Sequence, residues 1–254
     1  MKKILLFICT LLVLSTTTIT AQNSFVVEKS GQGQPILLFP GFACTHEVYD
    51  DLKKELAQNY ELHAFTFAGF GGVEPISFPW LPQIKSDIEA YVKEHHLKQP
   101  IIIGHSMGGT LGLWLASESD TYDKLIVIDA LPAMGALMMP DFDSEAMVYD
   151  NPYNNQVLAM DEESFRNMAN QTAAFMTNNT DKQQQIADWM IASDRETYVY
   201  GYTDLLKLDL RDALADIHIP VHIFGATHPY GKEAAEANYR IQYKNLKDYN
   251  LKFA

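Results

Sequence analysis

Short, nearly all-apolar runs recur along this chain, each followed by a segment of helical pattern. Pro35–Phe39 ends in the turn residues Pro40-Gly41-Phe42, and Leu62–Phe67 ends in Ala68-Gly69-Phe70-Gly71-Gly72. Gln99–Ile103, Lys124–Asp129 and Ile219–Gly225 repeat the pattern, and Tyr249–Ala254 begins another such run. Between them, Val48–Ala57, Ile84–His95, Gly109–Ser117 and about Lys232–Leu246 have helical character, with Ile84, Ile88, Tyr91 and Val92 on one face of the second. A strand without a polar face has to be buried on both sides. The expectation is therefore an α/β fold: a mostly parallel sheet with helices on both faces.

The alternation breaks between Leu131 and Leu206, where helical segments alternate with polar stretches such as Asp150–Asn155 and Thr177–Thr180. An inserted helical lid over about residues 132–206 is expected. Eight of the ten methionines fall between Met134 and Met190, and flexible thioethers suit an adaptable apolar surface. Some should be ordinary core and some should line an acyl-binding pocket. Arg195 is expected in a surface ion pair, with a substrate carboxylate as its other reading.

The N-terminus has the order of a secretory leader. Lys2 and Lys3 precede the apolar stretch Ile4–Val13, and a mostly small, polar run leads to Ala21. The expected domains are a signal peptide, 1–21, and one α/β domain, 22–254, exported to the periplasm or medium. The apolar run is short for a stable membrane span. Loss of Lys2 and Lys3 with the leader leaves 17 basic against 32 acidic residues, a charge of −15. That surface repels phosphate backbones and argues against a nucleic-acid partner. Only Cys44 then remains, so no internal disulfide forms, and no Cys/His spacing suits a metal. Neither a cofactor nor a metal is expected.

The chemistry concentrates at Gly104-His105-Ser106-Met107-Gly108-Gly109. An apolar strand leads in and a helix-compatible run leads out, which is the strand–turn–helix context a nucleophilic serine needs. Side chains at positions 104 and 108 would collide with neighbouring backbone. The amide of Met107, at a helix N-terminus, and that of Phe42, in the loop after the first strand, are the expected oxyanion donors. Pro40-Gly41 also reads as a plain turn.

Taken together, Phe39-Pro40-Gly41-Phe42, Phe67-Ala68-Gly69-Phe70-Gly71, the Ser106 turn, Ile128-Asp129 and Ile219-Pro220-Val221 resemble the α/β-hydrolase superfamily, in particular its small lid-bearing serine esterases. The resemblance spans about Gly33 to Leu251. It implies a Ser-His-acid triad and an acyl-serine intermediate. The usual acid position, after the strand that follows the lid, reads Gly225-Ala226-Thr227-His228-Pro229-Tyr230 and holds no carboxylate. The family's second solution places the acid at Asp129, which otherwise caps its loop. The family histidine follows the last core strand, and no histidine follows His228 here. The expected base therefore lies beyond residue 254, with His228 as the local substitute.

The expected function is an exported serine hydrolase cleaving carboxylic esters, its substrate a small molecule with an apolar acyl or aromatic group. Acyl transfer and amide cleavage are possible at the same site. A catalytically impaired, ligand-binding homologue is the competing class. A dinucleotide-dependent oxidoreductase is disfavoured because no G-x-G-x-x-G follows the first strand.

Overall fold

The computed structural model describes residues 19–22, 24–138, 143–144, 146–228 and 231–253. Eight strands form one sheet: β1 (Ile19–Gln22), β2 (Phe25–Gly31), β3 (Gln34–Phe39), β4 (Tyr60–Phe67), β5 (Ile101–His105), β6 (Lys124–Ile128), β7 (Val221–Gly225) and β8 (Tyr249–Phe253). Their order is β1-β2-β4-β3-β5-β6-β7-β8. The first two pairings are antiparallel and every later one is parallel. Most of the expected leader lies outside the described residues, and its last three residues run in β1.

The apolar strands are buried for the expected reason. Leu37 and Phe39 enter one core cluster while Ile36 and Leu38 enter the other, so β3 has no solvent face. Helix α1 (Asp50–Leu56) covers one side through Leu52 and Leu56. Helices α2 (Trp80–Glu94) and α3 (Met107–Glu118) cover the other, with Trp80, Ile84, Ile88, Leu111 and Leu115 fully buried. The pattern along the chain had not marked β2. It alternates, burying Phe25 and Val27 but not Val26 or Glu28, as an antiparallel strand beside the sheet edge does.

Between β6 and β7 the described residues form helices and turns and no strand. These are α4 (Met134–Met138), α5 (Pro152–Leu158), α6 (Glu162–Met176), α7 (Thr180–Ile191), a π-helical turn Thr197–Gly201, and α8 (Tyr202–Lys207). Helix α9 (Lys232–Gln242) then joins β7 to β8. Among the described residues no helix is long and apolar enough to cross a membrane.

The insertion is tied to the sheet layer by a buried carboxylate. Asp204 Oδ2 accepts from the amides of Trp80 (2.6 Å) and Leu81 (3.1 Å), and Oδ1 accepts from the Tyr149 hydroxyl (2.6 Å). Helix α2 therefore starts at Trp80, four residues before the Ile84 start expected from its pattern. Pro79 precedes it with no capping side chain, and the cap arrives from α8.

Arg195 departs from the expected surface ion pair, forming none among the described residues. Its guanidinium lies 3.7 Å from the centroid of the Phe165 ring, and its Nη1 donates to the carbonyls of Val157 (3.1 Å) and Met160 (3.0 Å). It joins the end of α5 to α6.

A buried imidazole on β4 makes stability depend on pH. His63 has no exposed surface, and its ring nitrogens meet the Tyr91 hydroxyl at 2.7 Å and Glu61 at 3.0 Å. Desolvation pushes its pKa down to about 4, against the opposing pull of Glu61. The unfolded chain takes up this proton near pH 6.5, so between pH 6.5 and 4 the unfolded state binds more protons and stability falls as the pH falls. The expected loss between pH 7 and 4 is roughly 3 kcal/mol. Urea unfolding at several pH values checks this: His63→Gln should be less stable at neutral pH but flatter in acid, and an unchanged slope would reject the assignment.

Candidate active site

Ser106 sits between β5 and α3 with φ 49° and ψ −122°, a backbone conformation that residues bearing a Cβ rarely adopt. Backbone hydrogen bonds hold it there. Its amide donates to Ile128 O at 2.9 Å, and its carbonyl accepts from the amides of Gly109 (2.8 Å) and Thr110 (3.1 Å). The turn closes only because its glycines lack side chains. A Cβ on Gly104 would lie 2.2 Å from Gly108 O, and one on Gly108 would lie 2.1 Å from Phe39 O.

The loop after β3 reaches the same point. A Cβ on Gly41 would lie 2.9 Å from His105 Nδ1 and 3.5 Å from Ser106 Cβ, so this loop rests on the serine turn. The Phe42 ring fixes the loop by packing on Phe70, Trp80, Tyr198 and Tyr202, with centroids 5.0 to 6.2 Å away. Neither the Phe42 nor the Met107 amide donates to a protein acceptor among the described residues. Both remain available beside Ser106, and Met107 opens a helix.

Asp129 leaves the sheet next to Ser106. The register pairs His105 with Ile128, so the following residues of β5 and β6 emerge together at the C-terminal edge. Asp129 also has a left-handed backbone, φ 45°, and its amide donates to Phe224 O at 2.7 Å. Its Oδ1 accepts from the amide of Ala226 (3.2 Å) and from the hydroxyl of Tyr239 (2.7 Å). Tyr239, on α9, had no signal in the sequence beyond the amphipathic pattern of its helix.

The histidines divide clearly. His105 lines the cavity above Ser106, but its Nδ1 is buried against Gly41 without a hydrogen-bond partner among the described residues. Burial lowers its pKa while Asp129 pulls the other way. His46 lies 3.2 Å from Glu28 Oε2. His228 is exposed on the loop after β7, and no hydrogen bond or ion pair among the described residues joins it to Ser106 or Asp129. Phe42 and Ser106 thus line one cavity, Met107 follows Ser106 at the head of α3, and Asp129 follows the strand residue whose carbonyl accepts from the Ser106 amide.

Over the serine lies a cavity of about 520 Å³. The helical insertion supplies most of its wall, including Met134, Tyr153, Met168, Met176, Met190, Tyr198, Tyr202 and Leu206. Several methionines do line it, as expected. Among the described residues, no Asp, Glu, Lys or Arg contributes to the wall. Cys44 contributes a thiol whose pKa burial pushes up to about 12, so it stays protonated.

Fold and site together define an α/β sheet protein that presents a serine on a strand-to-helix elbow beneath a helical cover. A sequence model of the alpha/beta hydrolase family matches residues 36–246, and the chain belongs to that family. It is 26% identical over 214 residues to a pimeloyl-[acyl-carrier protein] methyl ester esterase of Aeromonas hydrophila, covering 80% of each chain. The enzyme of the same name from Vibrio cholerae is 25% identical, over 76% of this chain and 75% of its own length. Among solved structures, the enol-lactonase of Burkholderia xenovorans superposes with a TM-score of 0.76 at 17% identity, over 93% of this chain and 91% of that one. An esterase from Exiguobacterium antarcticum gives a TM-score of 0.75 at 17% identity, over 94% and 90% of the two chains. These structural likenesses support the fold.

Proposed function

We propose that this chain is an exported serine hydrolase that cleaves uncharged carboxylic esters carrying an apolar acyl or aromatic group. Ser106 Oγ attacks the carbonyl carbon, and the amides of Phe42 and Met107 receive the negative charge that develops on its oxygen. An imidazole takes the serine proton and returns it to the leaving alcohol. Water then repeats the sequence on the acyl-serine. Asp129 orients that imidazole. Strand β8 runs parallel to β7 and pairs Phe253 with Gly225, so chain continuing past it emerges on the edge that carries Asp129. His228, exposed on the loop after β7, is the local candidate for that imidazole.

The observation that carries this reading is the elbow serine opening into a cavity to whose wall the described residues contribute no charged side chain. A charged substrate would exchange its hydration for apolar surface there. The curated relatives are named as esterases acting on a methyl ester of a pimeloyl group, so methyl esters of medium-chain acids belong among the substrates to test. Export rests on the Lys2-Lys3, Ile4–Val13 and Ala21 pattern, and the mass of the mature exported protein tests it, with Gln22 as the expected first residue.

The activity is tested on the protein expressed through its natural stop codon. A fluorophosphonate should label Ser106, and Ser106→Ala should abolish the label. Across p-nitrophenyl esters, kcat/KM should peak at a neutral medium-length acyl chain and be at least about tenfold lower for a matched acyl chain ending in a carboxylate. Absence of label together with absence of turnover would favour a ligand-binding homologue.

A further inference from the structure

The two oxygens of the Asp129 carboxylate have different surroundings. Oδ1 takes both the Ala226 amide and the Tyr239 hydroxyl, while Oδ2 accepts nothing among the described residues. The phenol is firmly held. Its ring stacks on Tyr243, with centroids 5.9 Å apart and planes 10° from parallel, and meets the edge of Phe253 at 5.5 Å. Gly225 makes room for it: a Cβ there would lie 3.0 Å from Tyr239 Cζ and 2.8 Å from the Phe253 ring. Three elements that meet behind Asp129 thus converge on placing one hydroxyl.

We infer that Tyr239 is a positioning residue of the Ser106 site, holding Oδ1 of Asp129 so that Oδ2 is left to accept the N–H of the imidazole that serves the serine. This rests on the proposed serine-hydrolase reading. Burial, reinforced by the adjacent carboxylate, raises the Tyr239 pKa far above the usual phenol value. The group is therefore a donor and cannot act as the base. A carboxylate bound through one oxygen presents a single aimed acceptor, whereas one free to rotate presents two loosely placed ones.

The test is Tyr239→Phe, which keeps the ring and removes the hydroxyl. In the active enzyme kcat should fall about tenfold with KM changed less than about twofold, and the acidic limb of the kcat/KM profile should move up by about half a unit to one unit. Loss of the hydroxyl donor leaves Asp129 a stronger acceptor for the imidazole N–H, and that favours the protonated imidazole. His105 and Tyr243 are the other titratable groups that feel Asp129. Burial holds the first towards its neutral form and raises the phenol pKa of the second. In the double variant Asp129→Ala/Tyr239→Phe, kcat should equal that of Asp129→Ala alone, because Tyr239 acts through Asp129. Additive losses would overturn the role.

A second readout is independent of turnover. The Tm losses of Tyr239→Phe and Asp129→Ala should be less than additive in the double variant, as for two groups that share one hydrogen bond. Additive Tm losses, or full kcat with an unmoved acidic limb, would overturn the role of Tyr239 and leave the hydrolase reading intact. Failure of wild-type protein to take up phosphonate or turn over ester counts against that reading, and the Tm cycle still decides the contact.

Discussion

Ser106→Ala should lower kcat for ester hydrolysis by about a million-fold, the scale seen when the nucleophile of a triad is removed, and should leave the fold intact. Ser106→Gly should be equally inactive but more stable than Ser106→Ala by about 1 kcal/mol. The reason lies in the backbone. At φ 49° and ψ −122° any Cβ is crowded, and alanine keeps that crowding while glycine removes it. Glycine's larger unfolded-state entropy offsets part of the gain, so the comparison is between the two inactive variants. Thermal unfolding and single-turnover kinetics give both quantities. Retained kcat in the alanine variant would remove Ser106 from the mechanism. A glycine variant less stable than the alanine one would show that the elbow stores no strain.

Gly108→Ala should be among the most damaging single-methyl changes at the described residues. Its Cβ would lie 2.1 Å from Phe39 O and 2.6 Å from both Phe39 C and Pro40 O. These are backbone atoms at the end of β3 and the start of the oxyanion loop, so they cannot move aside as a side-chain tip can. Relief requires α3 to shift away from β3, and that shift carries the Met107 amide with it. We expect a loss of about 3 kcal/mol or more, the upper end for overpacking, together with loss of phosphonate labelling in whatever protein remains folded. Gly72→Ala is the control: nothing lies within 4 Å of a Cβ there, and its left-handed φ of 79° should cost only about 1 kcal/mol. Comparable Tm values for the two variants would contradict the close approach at the elbow.

The parts of the site that were legible in the sequence are those set by neighbours along the chain. Gly104-x-Ser106-x-Gly108 between an apolar strand and an apolar helix is a local pattern, and the structure places Ser106 on that turn. Phe42 was legible from the order of the strands. Arg195 was misread because its partners are backbone carbonyls and an aromatic face, which no pattern of side-chain charge signals. The start of α2 was placed late because its cap comes from Asp204 on a distant helix. Strand β2 was passed over because only Phe25 and Val27 of its side chains are fully buried, too few to stand out in a run.

By itself, then, the sequence determined a parallel α/β sheet, a helical insertion and a serine on a tight turn. All three follow from periodicity and from the small size of particular residues, and both act within a few positions. Tertiary structure alone decided how Asp129 is held. Its hydroxyl partner is 110 residues away, and the contact exists only because β6, β7 and α9 pack edge to edge around Gly225. Tertiary structure also brought insertion residues such as Met134, Met168 and Tyr198 to the wall of the cavity that Ser106 lines, since which face of an inserted helix meets the sheet depends on what the rest of the chain has left uncovered.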